Sequence, residues 1–182
     1  MNKEKCLKFM DNCLKRFYMT TADISSKLSK EITSLVKRSR YDHKLLQRRV
    51  AITYDNFFAD KILMRVVIQQ GVPYSMFNLI QHLTPFSEED WAAFLDLSTK
   101  SMQRYKQQSK VFRPIQSEKI IEMAEVTKVG VDVFGDIEKF KGWLNTPTYA
   151  LGNVKPRDLL ADSYGKEMVV SELTRINYGI FV

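Results

Sequence analysis

The stretch Glu88-Glu89-Asp90-Trp91-Ala92-Ala93-Phe94-Leu95-Asp96-Leu97-Ser98-Thr99-Lys100-Ser101-Met102-Gln103-Arg104-Tyr105-Lys106 decides the fold class. Counted from Glu88, its fourth, eighth, tenth, fifteenth and eighteenth places are Trp91, Leu95, Leu97, Met102 and Tyr105. Apolar residues at that spacing hold two short helices at a fixed angle. The fifth place, where the helices cross too tightly for a large side chain, is Ala92. The ninth must turn left-handed and is usually glycine; Asp96 stands there, a residue that tolerates that conformation better than most. Ser87, three residues before Asp90, resembles an N-cap, and Ser98 or Thr99 starts the second helix. The spacing reads as a helix-turn-helix, although polar-faced helix pairs also occur in ordinary bundles. Its second helix exposes Ser98, Thr99, Lys100, Gln103, Arg104 and Gln107, side chains suited to phosphates and base edges and therefore candidates for DNA binding.

Working upstream, Asp55 caps a helix through Phe57, Phe58, Ile62, Val66 and Gln69, closed by Gly71 and Pro73. The β-branched run Val66-Val67-Ile68 makes a short strand the fallback. Pro73 to His82 is a further helix, broken by Pro85. Downstream, Ser117 opens a longer helix through Val133. Phe134-Gly135-Asp136 marks a joint at which Gly135 ends one helix and Asp136 caps the next. Ile137, Phe140, Trp143 and Leu144 form that helix's buried side, and Pro147 stops it. Pro156 suits the first turn of a short helix. Asp162 or Ser163 caps the last one, whose apolar face is Met168, Val169, Leu173 and Ile176 and whose closing residue is Gly179. The fold class is mainly α, in three parts: a basic helical N-terminal extension at 1–60, a helix-turn-helix domain at 61–135 and a small helical domain at 136–182.

A hydrophobic fraction of 45% supports a real core, and seven glycines with five prolines argue against a loop-rich sandwich or barrel. The formal net charge of +7 is concentrated near the start, where thirteen Lys and Arg residues lie between Lys3 and Arg49. Such a surplus favours polyanions through counterion release, or else is a well-solvated helical face. Apolar stripes at helical spacing (Cys6, Phe9, Met10, Cys13 and Phe17; Ile24, Leu28, Ile32, Leu35 and Val36; Leu45, Leu46 and Val50) serve a core or self-association. Cys6 and Cys13 share one helix face about 10 Å apart, too far for a disulfide, which suits thiols in a reducing cytoplasm.

With His43 and His82 the only histidines, no cysteine-histidine metal spacing exists. There is no nucleophile with a paired base and no phosphate-binding glycine loop; Asp42-His43 has no nucleophile beside it. The expectation is a protein that is not an enzyme and needs no cofactor or metal. No segment has the length or apolarity of a signal peptide or a membrane span, which predicts a cytoplasmic protein.

The last residues, Arg175-Ile176-Asn177-Tyr178-Gly179-Ile180-Phe181-Val182, place three apolar side chains and a free carboxylate directly after a glycine that closes a helix. Such an end folds back on the core or fits into a partner. Arg175 alone reads most simply as a surface ion pair with Glu172 or a neighbouring acid.

Trp143-Leu144, Pro147, Ala150-Leu151-Gly152, Pro156, Asp158-Leu159-Leu160, Gly165, Leu173, Arg175-Ile176 and Gly179 resemble, in order and spacing, the toxin-binding domain of Xre/MbcA/ParS-type antitoxins from RES-Xre type II toxin–antitoxin systems. The resemblance continues more weakly back to about Val66, where this family carries its Xre-like helix-turn-helix, and leaves the first sixty residues outside. Asn153 departs from the family's glycine pair, in which a second glycine would follow Gly152. The resemblance implies an antitoxin that neutralises a RES-domain toxin, an enzyme that consumes NAD or transfers ADP-ribose from it. It implies a toxin plug in the C-terminal domain and autorepression through operator DNA. Arg175, Ile176, Tyr178, Gly179, Ile180, Phe181 and Val182, on one short terminal segment, offer charge, hydrogen bonding and apolar bulk for that toxin contact. One helix-turn-helix gives little area and paired half-sites multiply affinity, so a homodimer or higher oligomer formed through the helical N-terminal half, within a larger toxin–antitoxin complex, is expected. The other reading of the same residues is a stand-alone helix-turn-helix regulator with no toxin partner.

Overall fold

The computed structural model describes residues 21–38 and 52–180. They form ten α-helices: α1 (Thr21–Arg38), α2 (Tyr54–Phe57), α3 (Lys61–Gln70), α4 (Tyr74–Leu83), α5 (Glu88–Phe94), α6 (Thr99–Gln107), α7 (Pro114–Phe134), α8 (Ile137–Leu144), α9 (Pro156–Leu159) and α10 (Ser163–Asn177), with a 3-10 turn at Tyr149–Leu151 between α8 and α9. No strand forms among the described residues, only the isolated bridges Pro73–Val111 and Thr148–Val154. The fold is mainly α, as the sequence predicts.

The long helix α7 is the spine. It packs against α3 and α4 on one side and against α8 and α10 on another. Ile120, Ile121, Met123, Ala124 and Val126 are all but inaccessible along it. It begins at Pro114, whose missing N–H costs nothing in a first turn, rather than at Ser117. Ser117 is instead fully buried, where its Oγ accepts the Val72 N–H at 2.9 Å and donates to the Phe112 carbonyl at 3.2 Å. Its hydroxyl satisfies two backbone groups, one distant and one local, that would otherwise be buried without partners.

The single helix expected from Asp55 is two helices. Thr53 and Asn56 close a capping box around α2. Asp60 then accepts the N–H groups of Ile62 and Leu63 at 3.0 and 3.2 Å and starts α3. A side chain that captures those donors fixes a helix start, so the cap is Asp60 and not Asp55. Val66-Val67-Ile68 is helical, and Gly71 closes α3 at a φ of 82°.

Helix α1 resolves one alternative left by the sequence. Ile24, Leu28, Ile32, Leu35 and Val36 are buried, and the helix lies on α3 and α4. Its apolar stripe is core and not a self-association surface. The Ser29 Oγ accepts the Tyr54 N–H at 2.9 Å, tying α1 to α2. The stripes at 6–17 and 45–50, with Asp42 and His43, lie outside the described residues.

Punctuation in the C-terminal third follows the sequence closely. Gly135 turns left-handed at φ 71°, and the Asp136 carboxylate accepts the N–H groups of Glu138 and Lys139 at 2.9 and 3.1 Å. Pro156 opens α9, and Asp162 caps α10 through the Gly165 N–H. Asn153, which stands where a second glycine was expected, adopts φ 59° after Gly152 at 77°. Asparagine is among the few side chains that occupy this region at modest cost, so the turn survives.

Two glycines permit close helix approach. A Cβ on Gly165 would sit 2.0 Å from the Leu159 carbonyl oxygen, and one on Gly130 would sit 2.2 Å from the Phe140 ring. Gly165→Ala gains about 1 kcal/mol of helix propensity but forces backbone apart at the α9–α10 crossing, an overpacking cost of about 3 kcal/mol. The expected net result is destabilisation by about 2 kcal/mol, read as a Tm several degrees lower in thermal unfolding. An unchanged Tm would mean that α9 and α10 do not cross here.

Candidate functional site

Helices α5 and α6 form the pair that the spacing predicts. Ser87 and Asp90 close a capping box on α5, and Ser98 caps α6 by accepting the Ser101 N–H at 3.1 Å. Asp96 takes the left-handed turn at φ 50°, and the Leu97 N–H reaches the Ala92 carbonyl at 2.9 Å. Trp91 is fully buried and meets Phe77, Phe86 and Phe94 edge to face, with ring centroids 5.1 to 6.1 Å apart. Such aromatic contacts add to area burial and set the angle at which α5 lies.

The outer face of α6 is polar and open. Ser98, Thr99, Lys100, Gln103, Arg104 and Gln107 are all exposed, and all of them except Thr99 line a shallow depression of about 450 Å³. Lys106 in the last turn of the helix, and Lys110 and Arg113 beyond it, continue the positive charge. Lys110 lies 6.0 Å from the Tyr105 ring centre. The first turn of α5 is opposite in sign, carrying Glu88, Glu89 and Asp90. A backbone N–H at the helix start and then the Ser87 hydroxyl hold Glu89 below the usual carboxylate range. Burial, and then the nearby Glu88 carboxylate, raise the Tyr74 phenol above its ordinary value. The positive charge of this helix pair therefore lies on α6 and the segment after it, and the negative charge at the start of α5.

A residue that the sequence reading passed over fixes α6 in place. Gln116 is buried in the first turn of α7; its Nε2 donates to the Leu95 carbonyl at 3.3 Å, and its Oε1 accepts from the Tyr105 hydroxyl at 3.4 Å. Tyr105 also stacks on Phe112, with centroids 4.5 Å apart and planes 11° apart. The available signal was a glutamine on the same helical face as Ile120 and Met123. Gln116→Leu leaves the buried Leu95 carbonyl without a donor, at a cost of about 1–3 kcal/mol. The expected result is lower thermal stability together with faster amide exchange through α6 and the turn before it. Wild-type exchange in α6 would show that Gln116 does not hold that helix.

The other candidate surface is the end of the chain. Helix α10 runs through Asn177, so Arg175 and Ile176 belong to the helix rather than to a segment projecting beyond it. Arg175 lies 3.7 Å from Glu172, whose side chain is almost wholly buried. The guanidinium side chain remains 39% exposed, so the pair leaves it reachable. Gly179, at φ 70°, completes a Schellman closure: its N–H meets the Ile176 carbonyl and the Ile180 N–H meets the Arg175 carbonyl, both at 2.9 Å. Tyr178 and Ile180 are 75% and 53% exposed, while Phe181 and Val182 lie outside the described residues. Met168, expected in the buried face of α10, is exposed; Val169 and Leu173 fill that face, joined by the partly buried Ile176.

The two surfaces sit on one connected body. Arg157, before α10, forms an ion pair with Asp90 of α5, so that carboxylate serves both the capping box and the ion pair. Lys166 of α10 reaches Glu125 of α7 at 3.4 Å, and Lys119 of α7 donates to the Leu160 carbonyl at 3.1 Å. Among the described residues no group of three or more His, Cys, Asp or Glu could hold a metal ion, and no helix is long and apolar enough to cross a membrane.

Comparison with known proteins agrees with this arrangement. The family described as the antitoxin Xre/MbcA/ParS C-terminal toxin-binding domain matches residues 130–179, and the antitoxin Xre-like helix-turn-helix domain matches residues 66–125. A protein named Antitoxin Xre, from Yersinia enterocolitica, is 31% identical over 86 residues, covering 47% of this chain and 58% of that protein. The crystal structure of the M.tuberculosis MbcT-MbcA toxin-antitoxin complex aligns at a TM-score of 0.49 and 22% identity, over 59% of this chain and 96% of that one. Residues 66–125 and 130–179 match, in order, the helix-turn-helix and toxin-binding domains of Xre/MbcA/ParS-type antitoxins.

Proposed function

We propose that this chain is the antitoxin of a RES-domain toxin, blocking the toxin's active site with its C-terminal segment and repressing its own operon through α6. The observation that carries the reading is the exposed run Arg175–Tyr178–Ile180 at the end of a domain whose family is defined by toxin binding. A toxin that consumes NAD needs a deep cleft lined for phosphates and ribose. A guanidinium, a phenol and an aliphatic side chain on one short segment offer charge, hydrogen bonding and apolar bulk to such a cleft. Occupation by Arg175, Ile176, Tyr178, Gly179, Ile180, Phe181 and Val182 excludes the nucleotide.

The DNA half of the proposal rests on the exposed set Ser98, Thr99, Lys100, Gln103, Arg104 and Gln107. One recognition helix covers little DNA, so a homodimer presenting two helices to paired half-sites is part of the proposal. The test is growth of cells expressing a RES-type toxin. Co-expression of this chain should restore growth and intracellular NAD; continued NAD depletion with soluble antitoxin present would reject the reading.

A further inference from the structure

Helix α1 lies outside both matched domains, and only one side of it is used by the core. Ile24, Leu28, Ile32, Leu35 and Val36 fill that side. Around the helix from them runs an open groove of about 750 Å³, walled by Ile52 and Thr53. Lys30, Lys37 and Arg38 line it; all three are exposed, and none forms an ion pair with another described residue. No Asp or Glu lines the groove among the described residues. Its floor is built of small side chains. Ser29 and Thr33 turn their hydroxyl protons onto the Ser25 and Ser29 carbonyls at 2.8 and 2.7 Å, while Ser26 and Ser34 also line the groove. Serine and threonine are mediocre residues for a helix interior, so helix stability does not account for this face.

We infer that this groove holds the sugar-phosphate backbone of duplex DNA beyond the base pairs that α6 reads. The inference rests on the DNA half of the reading above and adds to it a contact that carries no sequence information. The lining selects the ligand. Cations and small hydroxyl side chains are the groups that meet phosphate oxygens. Asn and Gln, which read base edges, and aromatic rings, on which single-stranded bases stack, are both missing from the lining among the described residues. An open groove of that composition grips backbone and not bases. Spacing agrees. Lys30 and Lys37 lie about 10 Å apart along the helix, a rise that covers about three phosphates of one strand. The groove is also fixed relative to α6. Helix α1 packs on α4, and the Tyr74 N–H at the start of α4 donates to the Lys110 carbonyl at 2.9 Å, just past the end of α6. A duplex long enough to reach both surfaces is therefore held at a constant offset.

The test is binding of the full chain to duplex DNA across a range of salt concentrations. Fluorescence anisotropy reads it on the promoter and on an unrelated duplex of equal length. Lys30→Gln, Lys37→Gln and Arg38→Gln combined remove exposed charge and leave the buried side of α1 in place, while Ser26→Glu sets a carboxylate in the groove from an exposed position. Circular dichroism checks helicity and Tm. The triple variant should bind both duplexes about ten-fold or more weaker, with a salt slope lower by about two to three, and should keep the wild-type ratio between them. Ser26→Glu should weaken both duplexes together. Lys30→Arg with Lys37→Arg, which keeps the charge, should bind as wild type does. Wild-type affinity and slope in the triple variant and in Ser26→Glu would overturn the groove. A loss confined to the promoter would overturn it too, since backbone contact does not distinguish sequences. So would a fall from oligomer to monomer, or weaker binding to a RES-type toxin, with duplex affinity unchanged; the groove would then belong to a second copy or to an acidic protein surface. If the wild-type chain shows no preference for the promoter, yet the triple variant loses affinity for both duplexes, the α6 reading fails and the groove stands. Binding of neither duplex by the wild-type chain would end both.

Discussion

Removing Tyr178 to Val182 is expected to abolish protection against a co-expressed RES-type toxin while leaving DNA binding at the wild-type level. The cut falls after the last residue of α10, so Val169 and Leu173 keep their burial and the contacts of α10 with α7 are retained. What is lost from the helix is the Schellman closure at Gly179, which exposes two carbonyls to water and frays only the final turn. What is lost from the complex is larger: an aromatic and an aliphatic anchor seated in a desolvated cleft, each worth about 2–4 kcal/mol when it is a hot spot. Arg175→Glu is expected to have the same phenotype by another route. It leaves an unpaired negative charge in that cleft and sets a second carboxylate beside Glu172, a combination costing several kcal/mol in a desolvated site. Ile180→Ala should do less, since it truncates one side chain and leaves the arginine in place. Growth and NAD assays on soluble, helical variants decide the matter; full protection by the truncated chain would remove the terminal segment from the mechanism.

The second large effect concerns DNA. Replacing Lys100, Gln103 and Arg104 together by alanine is expected to reduce promoter binding to the non-specific level, a loss of about a thousand-fold or more. The three side chains are exposed on α6 and make no contact that supports the fold, so stability should change little. Single variants should separate by role. Lys100→Ala and Arg104→Ala, if they contact phosphate, weaken binding to all sequences and reduce the salt slope by about one each. Gln103→Ala, if it reads a base edge, costs about 1–3 kcal/mol and relaxes preference at one position. Retention of specific promoter binding in the triple variant would show that α6 is not the recognition helix.

The parts of this fold legible in the sequence are those decided by local chemistry. Ser87 with Asp90, Ser98, Gly135 with Asp136, Pro156, Asp162 and Gly179 each place a helix end where a donor, an acceptor or a positive φ is needed within a few residues. The turn at Asp96 was readable for the same reason. Features settled by distant partners were not. Ser117 has the form of a cap, yet its hydroxyl serves Phe112, five residues back, and Val72, which only tertiary folding brings near. Asp55 and Asp60 are both capable helix starters five residues apart, and Asp60 prevails because Thr53 and Asn56 already close α2. Gln116 offers no local sign of its bonds to Leu95 and Tyr105.

The two candidate surfaces were legible to different degrees for a related reason. Residues of α6 are polar on the outer face of a recognisable motif, so their exposure follows from the spacing alone. On α10 the boundary of the buried arc was misjudged. Met168 precedes Val169 by one residue and is turned about 100° from it on the helix, yet only packing against α7 and α9 determines which of the two is covered. Arg175 was read against Glu172 from a separation of three residues, and the structure pairs them while leaving the guanidinium accessible.

The most direct test of the central claim is NAD turnover by a purified RES-type toxin titrated with this chain. The full chain should drive turnover to zero at saturation, in competition with NAD, while the chain lacking Tyr178 to Val182 should bind and leave turnover largely intact. Turnover that persists when the toxin is saturated with the full chain, or that falls equally with the truncated one, would contradict active-site blocking by the C-terminal segment.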